Sequence, residues 1–337
     1  MKAIVYTEYG PPDVLELMEV EKPIPKEEEV LVEIHAASVN ALDWHMLTAD
    51  IFLVRLMGGG LLKPKSTRLG ADIAGRVEAV GKNVKQFRPG DAVFGDISER
   101  GNGGFAEYAC AREDELALKP ANLSFEEAAA VPVAALTALQ GLRDEGKIQP
   151  GQKVLIQGAS GGVGTFAMQI AKSFGAEVTA VCSTRNLEQA RSLGADHVID
   201  YTREDFTQSG QQYDLILAVN GYHPLSAYKR ALAPRGIYVM AGGTPAQIFQ
   251  AMLLGPLMSI RGDKKMGGVS AKTSQKDLVV LKELLEAGKV VPVIDRRYPL
   301  SETAEAVRYL GTGHARGKVV INLAQNHETR PPEEANE

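Results

Sequence analysis

Apolar and polar positions change their period twice along the chain. Over the first third they alternate. Val30-Leu-Val-Glu-Ile-His35-Ala, Arg76-Val-Glu-Ala-Val80-Gly81 and Ala92-Val-Phe94 read as short strands, with turn signals such as Arg88-Pro-Gly-Asp91 at close intervals. The start, Met1 to Tyr6, runs directly into the same pattern. This predicts a compact β-barrel, interrupted by Ser38-Val-Asn40-Ala-Leu-Asp43-Trp44-His45 and by a long loop from Phe52 to Gly60. A loop of that length inside a compact domain is usually functional.

Near Leu123 the period lengthens. Ser124-Phe-Glu-Glu127 has capping-box spacing, and the Ala-rich run to Leu139 is helical with a break at Pro132. From Lys153 onward strand-like and helix-like stretches alternate. His197–Tyr201, Tyr213–Ala218 and Gly236–Ala241 read as strands, with helices at Asn186–Leu193 and Ser226–Leu232 between them. That alternation predicts a parallel, doubly wound sheet.

The stretch opening this half carries the chemistry. Lys153-Val-Leu-Ile-Gln is followed by Gly158-Ala-Ser160-Gly161-Gly162-Val163-Gly164, then by apolar residues at helical spacing: Phe166, Ala167, Ile170, Ala171 and Phe174. Strand, glycine turn and helix in that order read as a dinucleotide site. Gly161 is expected to turn the backbone, Gly162 to admit a pyrophosphate closely, and Gly164 to let the helix pack on the strand, with the helix N-terminus offering N–H groups to phosphate.

The next strand, Glu177–Cys182, ends in Ser183-Thr184-Arg185, with no carboxylate between Glu177 and Glu188. An NAD site usually places an acidic residue about 20 positions after the glycines, to accept from the ribose 2′-hydroxyl. A tip with hydroxyls and an arginine fork suits a 2′-phosphate instead. The expected cofactor is therefore NADPH.

Composition narrows the partners. With 337 residues the chain suits two domains, and its formal net charge of −5 disfavours nucleic acid or an anionic membrane surface as the main partner. Two cysteines, Cys110 and Cys182, do not make a disulfide framework, so a cytoplasmic location is expected. No secretory-signal order or bilayer-length apolar run is present. The apolar stretch Gln247–Ile260 reads either as a core helix leading into a last strand or as a lid over a substrate pocket. A helix follows over Gln275–Ala287, then a strand at Lys318–Asn322, and the polar tail 324–337 is expected to be disordered.

The barrel-first order, the Ala159–Gly164 turn with Gln169 in the following helix, the closing Arg316-Gly-Lys-Val-Val-Ile321, Gly104-Phe-Ala-Glu-Tyr108 and Thr137-Ala-Leu139 together resemble the medium-chain dehydrogenase/reductase superfamily, within it the zinc-free quinone oxidoreductase branch. The resemblance implies an α/β fold with a GroES-like (chaperonin-10-like) catalytic barrel over 1–122 and 271–323 and a Rossmann domain over 123–270, with the active site between them. It places Ser160, Gly161, Gly162, Val163 and Gly164 at the pyrophosphate and Ser183, Arg185 and Tyr201 around the ribose phosphate. Thr137 and Gly243 would lie near the nicotinamide, and Asn220 and Lys318 are further cofactor candidates. Relatives of this kind often pair, so a homodimer is the default.

Zinc-dependent relatives hold metal through a Cys and a Gly-His-Glu, where this chain has Asn40 and Gly70-Ala71-Asp72 and no four-cysteine cluster. A zinc site wants three or four thiolate, imidazole or carboxylate ligands, so no metal is expected. Without a Lewis acid, hydride transfer favours acceptors that spread charge by conjugation. The expected reaction is hydride transfer from NADPH to a quinone or an α,β-unsaturated carbonyl. Asn40 would donate to the developing oxyanion, with Asp43 and His45 as catalytic candidates and Trp44 and Phe52 lining the substrate pocket. Two other readings stay open: an enoyl thioester reductase, for which Arg55, Lys63, Lys65 and Arg68 supply cations, and a nucleotide-binding protein without turnover.

Overall fold

The computed structural model describes residues 1–50, 60–243 and 263–323, together with 250, 253, 255, 258 and 259. Its first strands are Lys2–Val5 (β1), Glu16–Glu19 (β2), Glu29–Val39 (β3), Asp72–Val80 (β4), Ala92–Asp96 (β5), Tyr108–Arg112 (β6) and Leu116–Leu118 (β7). A second group comprises Lys153–Gln157 (β8), Glu177–Cys182 (β9), His197–Asp200 (β10), Tyr213–Ala218 (β11), Leu232–Met240 (β12) and Lys265–Gly268 (β13). Ile294–Pro299 (β14) and Lys318–Asn322 (β15) return to the first group.

The long β3 organises the barrel half. On one edge it pairs with β4; its other edge is shared by β6 at residues 29–33 and β15 at residues 36–39. Register shifts at Leu31/Val32 and Ile34/Ala36 break the β3–β4 ladder, the device by which a strand bends toward closure. The sheet order is β14-β15-β3-β4-β5-β7, so residues beyond 290 complete a sheet begun near residue 30. The chain leaves the barrel and comes back, as the resemblance implies.

The second sheet is parallel, in the order β10-β9-β8-β11-β12-β13. Its order reverses between β8 and β11, so a crevice opens beyond their carboxyl ends, the ligand position of such sheets. Sequence reading located β8, β9, β11 and β15 to the residue, but β6, β7, β13 and β14 are too short or too irregular in pattern to stand out.

Eight helices of the described residues matter here: Ala41–Thr48 (α1), Phe125–Ala129 (α2), Pro132–Gln140 (α3), Gly162–Ser173 (α4), Leu187–Ser192 (α5), Leu225–Ala231 (α6), Gln275–Glu286 (α7) and Thr303–Gly311 (α8). Ser124 and Glu127 form the expected capping box, Glu127 N–H donating to Ser124 Oγ at 3.2 Å and Ser124 N–H to Glu127 Oε2 at 2.8 Å. Pro132 opens α3 rather than kinking it, because a helix's first residue needs no N–H partner.

One boundary differs from expectation, and one helix serves both halves. Helix α2, assigned with the dinucleotide half by a break at 123, packs on β3 and β4 of the barrel sheet. Helix α7, assigned with the barrel, packs on β7 there and also sends Leu278, Leu281 and Leu285 into the same apolar core as α3 and α4. That core also takes in Ala36, Ala74 and Phe94 of the barrel. Small alanine faces let the two halves approach so closely that one core spans both, which composition along the chain does not reveal. Most of Gln247–Ile260 and the tail 324–337 lie outside the described residues.

Candidate active site

The glycine turn follows β8 directly. Gly158 has φ of +78°, a conformation that a Cβ would strain, whereas Gly161 is extended at φ −81° and ψ 178°. The sharp turn expected at Gly161 is thus made three residues earlier. Gly164 does what was expected of it: a Cβ there would stand 2.2 Å from Gly158 O and 2.7 Å from Ala159 Cα. Helix α4 can therefore rest on the turn only through glycine. At Gly161 a Cβ would meet only Gly158 O, at 3.7 Å, so its side is open.

That open side is part of a pocket of about 420 Å³ lined by Gly158, Ser160, Gly161, Ser183, Arg185, Tyr201 and Asn220, all but Gly158 expected cofactor residues. Residues that sequence reading did not nominate also line it, among them Thr184, Asn186, His314 and Ala315. The last two belong to the α8–β15 connection of the barrel half. Arg185 donates to His314 O at 3.0 Å and Arg316 donates to Arg185 O at 3.4 Å, tying that connection over the tip of β9. Asn186 is buried, gives its Nδ2–H to Ser183 Oγ at 3.1 Å, and leaves its Oδ1 without a protein partner. A buried acceptor beside a pocket fits a ligand donor such as a ribose hydroxyl.

The tip differs from its sequence reading in one respect. Asp200, at the end of neighbouring β10, accepts from Thr184 Oγ1 at 2.5 Å and from Thr202 N and Oγ1. These hydrogen bonds hold its carboxyl below the ordinary range. A carboxylate does reach the tip, from the adjacent strand, and it is bound to hydroxyls there.

The remaining cofactor candidates separate. Val163 is packed partly against the core. Thr137 is buried in α3 with its hydroxyl donated to Val133 O at 2.7 Å, and Gly243 sits at φ +149° bridged to Gly221. Neither lines the pocket described. Lys318 is 3 % exposed, and its Nζ donates to Asn40 Oδ1 at 2.5 Å and Asp72 Oδ2 at 3.1 Å. Its stem lies against Gly162, where a Cβ would come within 2.9 Å of Lys318 Cδ. The close approach allowed by Gly162 is thus used by this lysine.

Asn40 caps α1 and is the centre of that cluster. Its Nδ2 donates to Asp72 Oδ2 at 2.9 Å and stands 3.4 Å from Ser38 O. Asp72 is fully buried; Ser38 Oγ donates to its Oδ2 at 2.6 Å and Val133 N–H to its Oδ1 at 2.8 Å. The latter bond joins the barrel to α3. Asp43 departs from its expected role. Its oxygens accept from Asn40 N and Gly70 N, each at 2.8 Å, and it is 1 % exposed. It fixes the start of α1 and does not line the pocket described above. Burial pushes its carboxyl up to about 7.

Trp44 lays its six-membered ring on Gly311 of α8, where a Cβ would meet Trp44 Cζ3 at 2.2 Å. The indole packs against the barrel core and stays partly exposed. His45 Nδ1 pairs with Asp50 Oδ1 at 2.8 Å. Phe52 lies outside the described residues. Among those residues no three His, Cys, Asp or Glu side chains are grouped to hold a metal ion, and no helix is long and apolar enough to cross a membrane.

The comparisons agree with this architecture. Residues 26–121 match an alcohol dehydrogenase GroES-like domain and 193–321 a zinc-binding dehydrogenase domain. The 2-methylene-furan-3-one reductase of Solanum lycopersicum is 39 % identical over 334 residues, covering 96 % of this chain and 79 % of the relative. The chain belongs to the quinone oxidoreductase-like branch of the medium-chain dehydrogenase/reductase superfamily. Within that family, the NADPH-dependent alkenal/one oxidoreductase of Arabidopsis thaliana is 36 % identical, covering 95 % of this chain and 79 % of its own. The quinone oxidoreductase of Coxiella burnetii superposes with a TM-score of 0.85 at 31 % identity, over 96 % of this chain and 99 % of that one. As a member of this family the protein is an oxidoreductase, and its two halves are the GroES-like and Rossmann domains.

Proposed function

We propose that this protein reduces quinones or α,β-unsaturated carbonyls with NADPH and without zinc. The observation carrying this reading is the Asn40–Asp72–Lys318 cluster standing against Gly162, at the start of the helix that follows the nucleotide turn. Bound at that turn, NADPH supplies a hydride. What the chain must add is a polar group for the negative charge that appears on the acceptor oxygen.

Asn40 is suited to this. One Nδ2 hydrogen is held by Asp72, and the other has only the long 3.4 Å approach to Ser38 O. A donor held in place before charge develops costs no reorganisation when it does. The cluster is a poor metal site. Ala71 offers no ligand atom, Asn40 presents its carbonyl to Lys318, and Asp72 Oδ2 already accepts from a hydroxyl, an amide and an ammonium. With no Lewis acid, acceptors whose conjugation spreads the charge are the ones that react. The relatives named as quinone oxidoreductase, methylene-furanone reductase and alkenal/one oxidoreductase support the same class.

NADPH consumption against quinones, alkenals and enoyl thioesters tests the reading. Turnover on the first two groups is expected, with Asn40→Ala reducing kcat by about 10²–10³. A protein that binds NADPH yet oxidises it with none of them is not this enzyme. Metal analysis is expected to find less than stoichiometric zinc, with turnover insensitive to a chelator.

A further inference from the structure

The orientation of the Asn40 amide can be assigned chemically. An ammonium only donates hydrogen bonds, so the atom 2.5 Å from Lys318 Nζ must be the carbonyl Oδ1, and the atom facing the Asp72 carboxylate must be the NH₂. Lysine and aspartate thus read opposite ends of one carboxamide and forbid its flip. An ammonium on the carbonyl also withdraws electron density from the amide, which strengthens its N–H groups as donors. Beyond this, the same lysine spans two features of the site. Its head holds Asn40 and its stem rests on Gly162, the second residue of the double glycine.

We infer that Lys318 is a positioning residue: it orients and polarises the Asn40 carboxamide and fixes that donor relative to the nucleotide turn. The inference rests on the oxyanion role proposed for Asn40. It departs from the cofactor-contact role implied for Lys318, because the ammonium already lies between Asn40 and Asp72. Arginine would not substitute, since its planar guanidinium needs more room than the ammonium held between Asn40 Oδ1 and Asp72 Oδ2.

Removing Lys318 alone strands a buried carboxylate, which by itself is strongly destabilising. The decisive variant is therefore Asp72→Asn/Lys318→Met, in which both charges leave together, read against Asp72→Asn alone so that the difference between them belongs to the lysine. We expect it to fold, to bind NADPH within about twofold of wild type, and to lose about tenfold or more in kcat on a quinone substrate. In an Asn40→Ala background the same pair of changes should cost little further, because the group being positioned is gone. A normal kcat, a loss that multiplies with that of Asn40→Ala, or a defect confined to NADPH affinity would each overturn the inference. A crystal structure of the double variant decides the matter without turnover: an Asn40 amide rotated away from its wild-type plane supports the inference, and an unchanged amide rejects it. If wild type proves inactive on every conjugated acceptor, the proposed function fails while this structural readout still stands.

Discussion

Individual side chains carry the sharpest expectations. Asp43 is buried against two backbone N–H groups, and burial lifts its carboxyl from the ordinary 3.8 to about 7. The folded state therefore keeps a proton that the unfolded chain loses near about pH 4. Its stabilising effect is complete below that pH and is lost as pH rises toward about 7. The stability advantage of wild type over Asp43→Asn should accordingly narrow between roughly pH 4 and pH 7, measured by denaturation midpoints, and stay level above that; a widening gap would mean that the carboxylate is ionised in the fold. At the β9 tip, Arg185 uses one donor on His314 O, and a guanidinium carries five. Arg185→Ala should weaken NADPH binding toward that of NADH and leave NADH affinity nearly unchanged, as followed by fluorescence titration. Equal weakening of both would place Arg185 outside phosphate selection.

At the scale of elements, the strand–turn–helix unit divides its glycines between two tasks. Gly164 touches backbone on the turn side, with Gly158 O 2.2 Å from where a Cβ would be, and neither partner is a flexible side chain. Gly164→Ala should cost about 1–3 kcal/mol or more of stability and lower the melting temperature even without nucleotide. Gly161 has room, so Gly161→Ala should leave the melting temperature intact and weaken NADPH binding, since the added methyl enters the pocket. If both variants behaved alike, this division would be wrong. Helix α1 shows how little a local pattern can say. Asn40 and Asp43 have capping-box spacing, but whether Asp43 faces solvent or Gly70 depends on the segment before β4, 27 positions later in the chain.

Across the whole molecule, the two halves are joined by a few polar ties over a continuous apolar core. Glu126 in α2 accepts from Arg297 Nε at 2.6 Å and from Asn322 Nδ2 at 2.8 Å within the barrel half, while between the halves Asp72 takes the α3 amide of Val133 and Arg185 donates to His314 O. The Glu126–Arg297 pair is half exposed on the arginine side, so Glu126→Ala should cost no more than about 1 kcal/mol. The core does the joining, with Ala36, Ala74 and Phe94 packed among α2, α3 and their neighbours. Because the pocket draws residues from both halves, saturating NADPH should stabilise the molecule as one cooperative unit, by about 2.7 kcal/mol at a hundredfold excess over Kd. Calorimetry showing a barrel transition unmoved by NADPH would contradict that coupling.

By itself the sequence determined the alternation of strand and helix, the glycine turn, the parallel sheet and the absence of an acidic residue directly at the β9 tip, because each depends on periods and neighbours within about 20 residues. Only the tertiary structure decided that Asp200 reaches that tip from the next strand, that His314 and Ala315 complete the pocket, that Trp44 packs on Gly311 and that Lys318 holds Asn40. Each of these is a contact between segments whose spacing in the chain fixes nothing about their distance in space. Sheet register and the packing of small residues set that distance, and they emerge only when the whole chain buries its core.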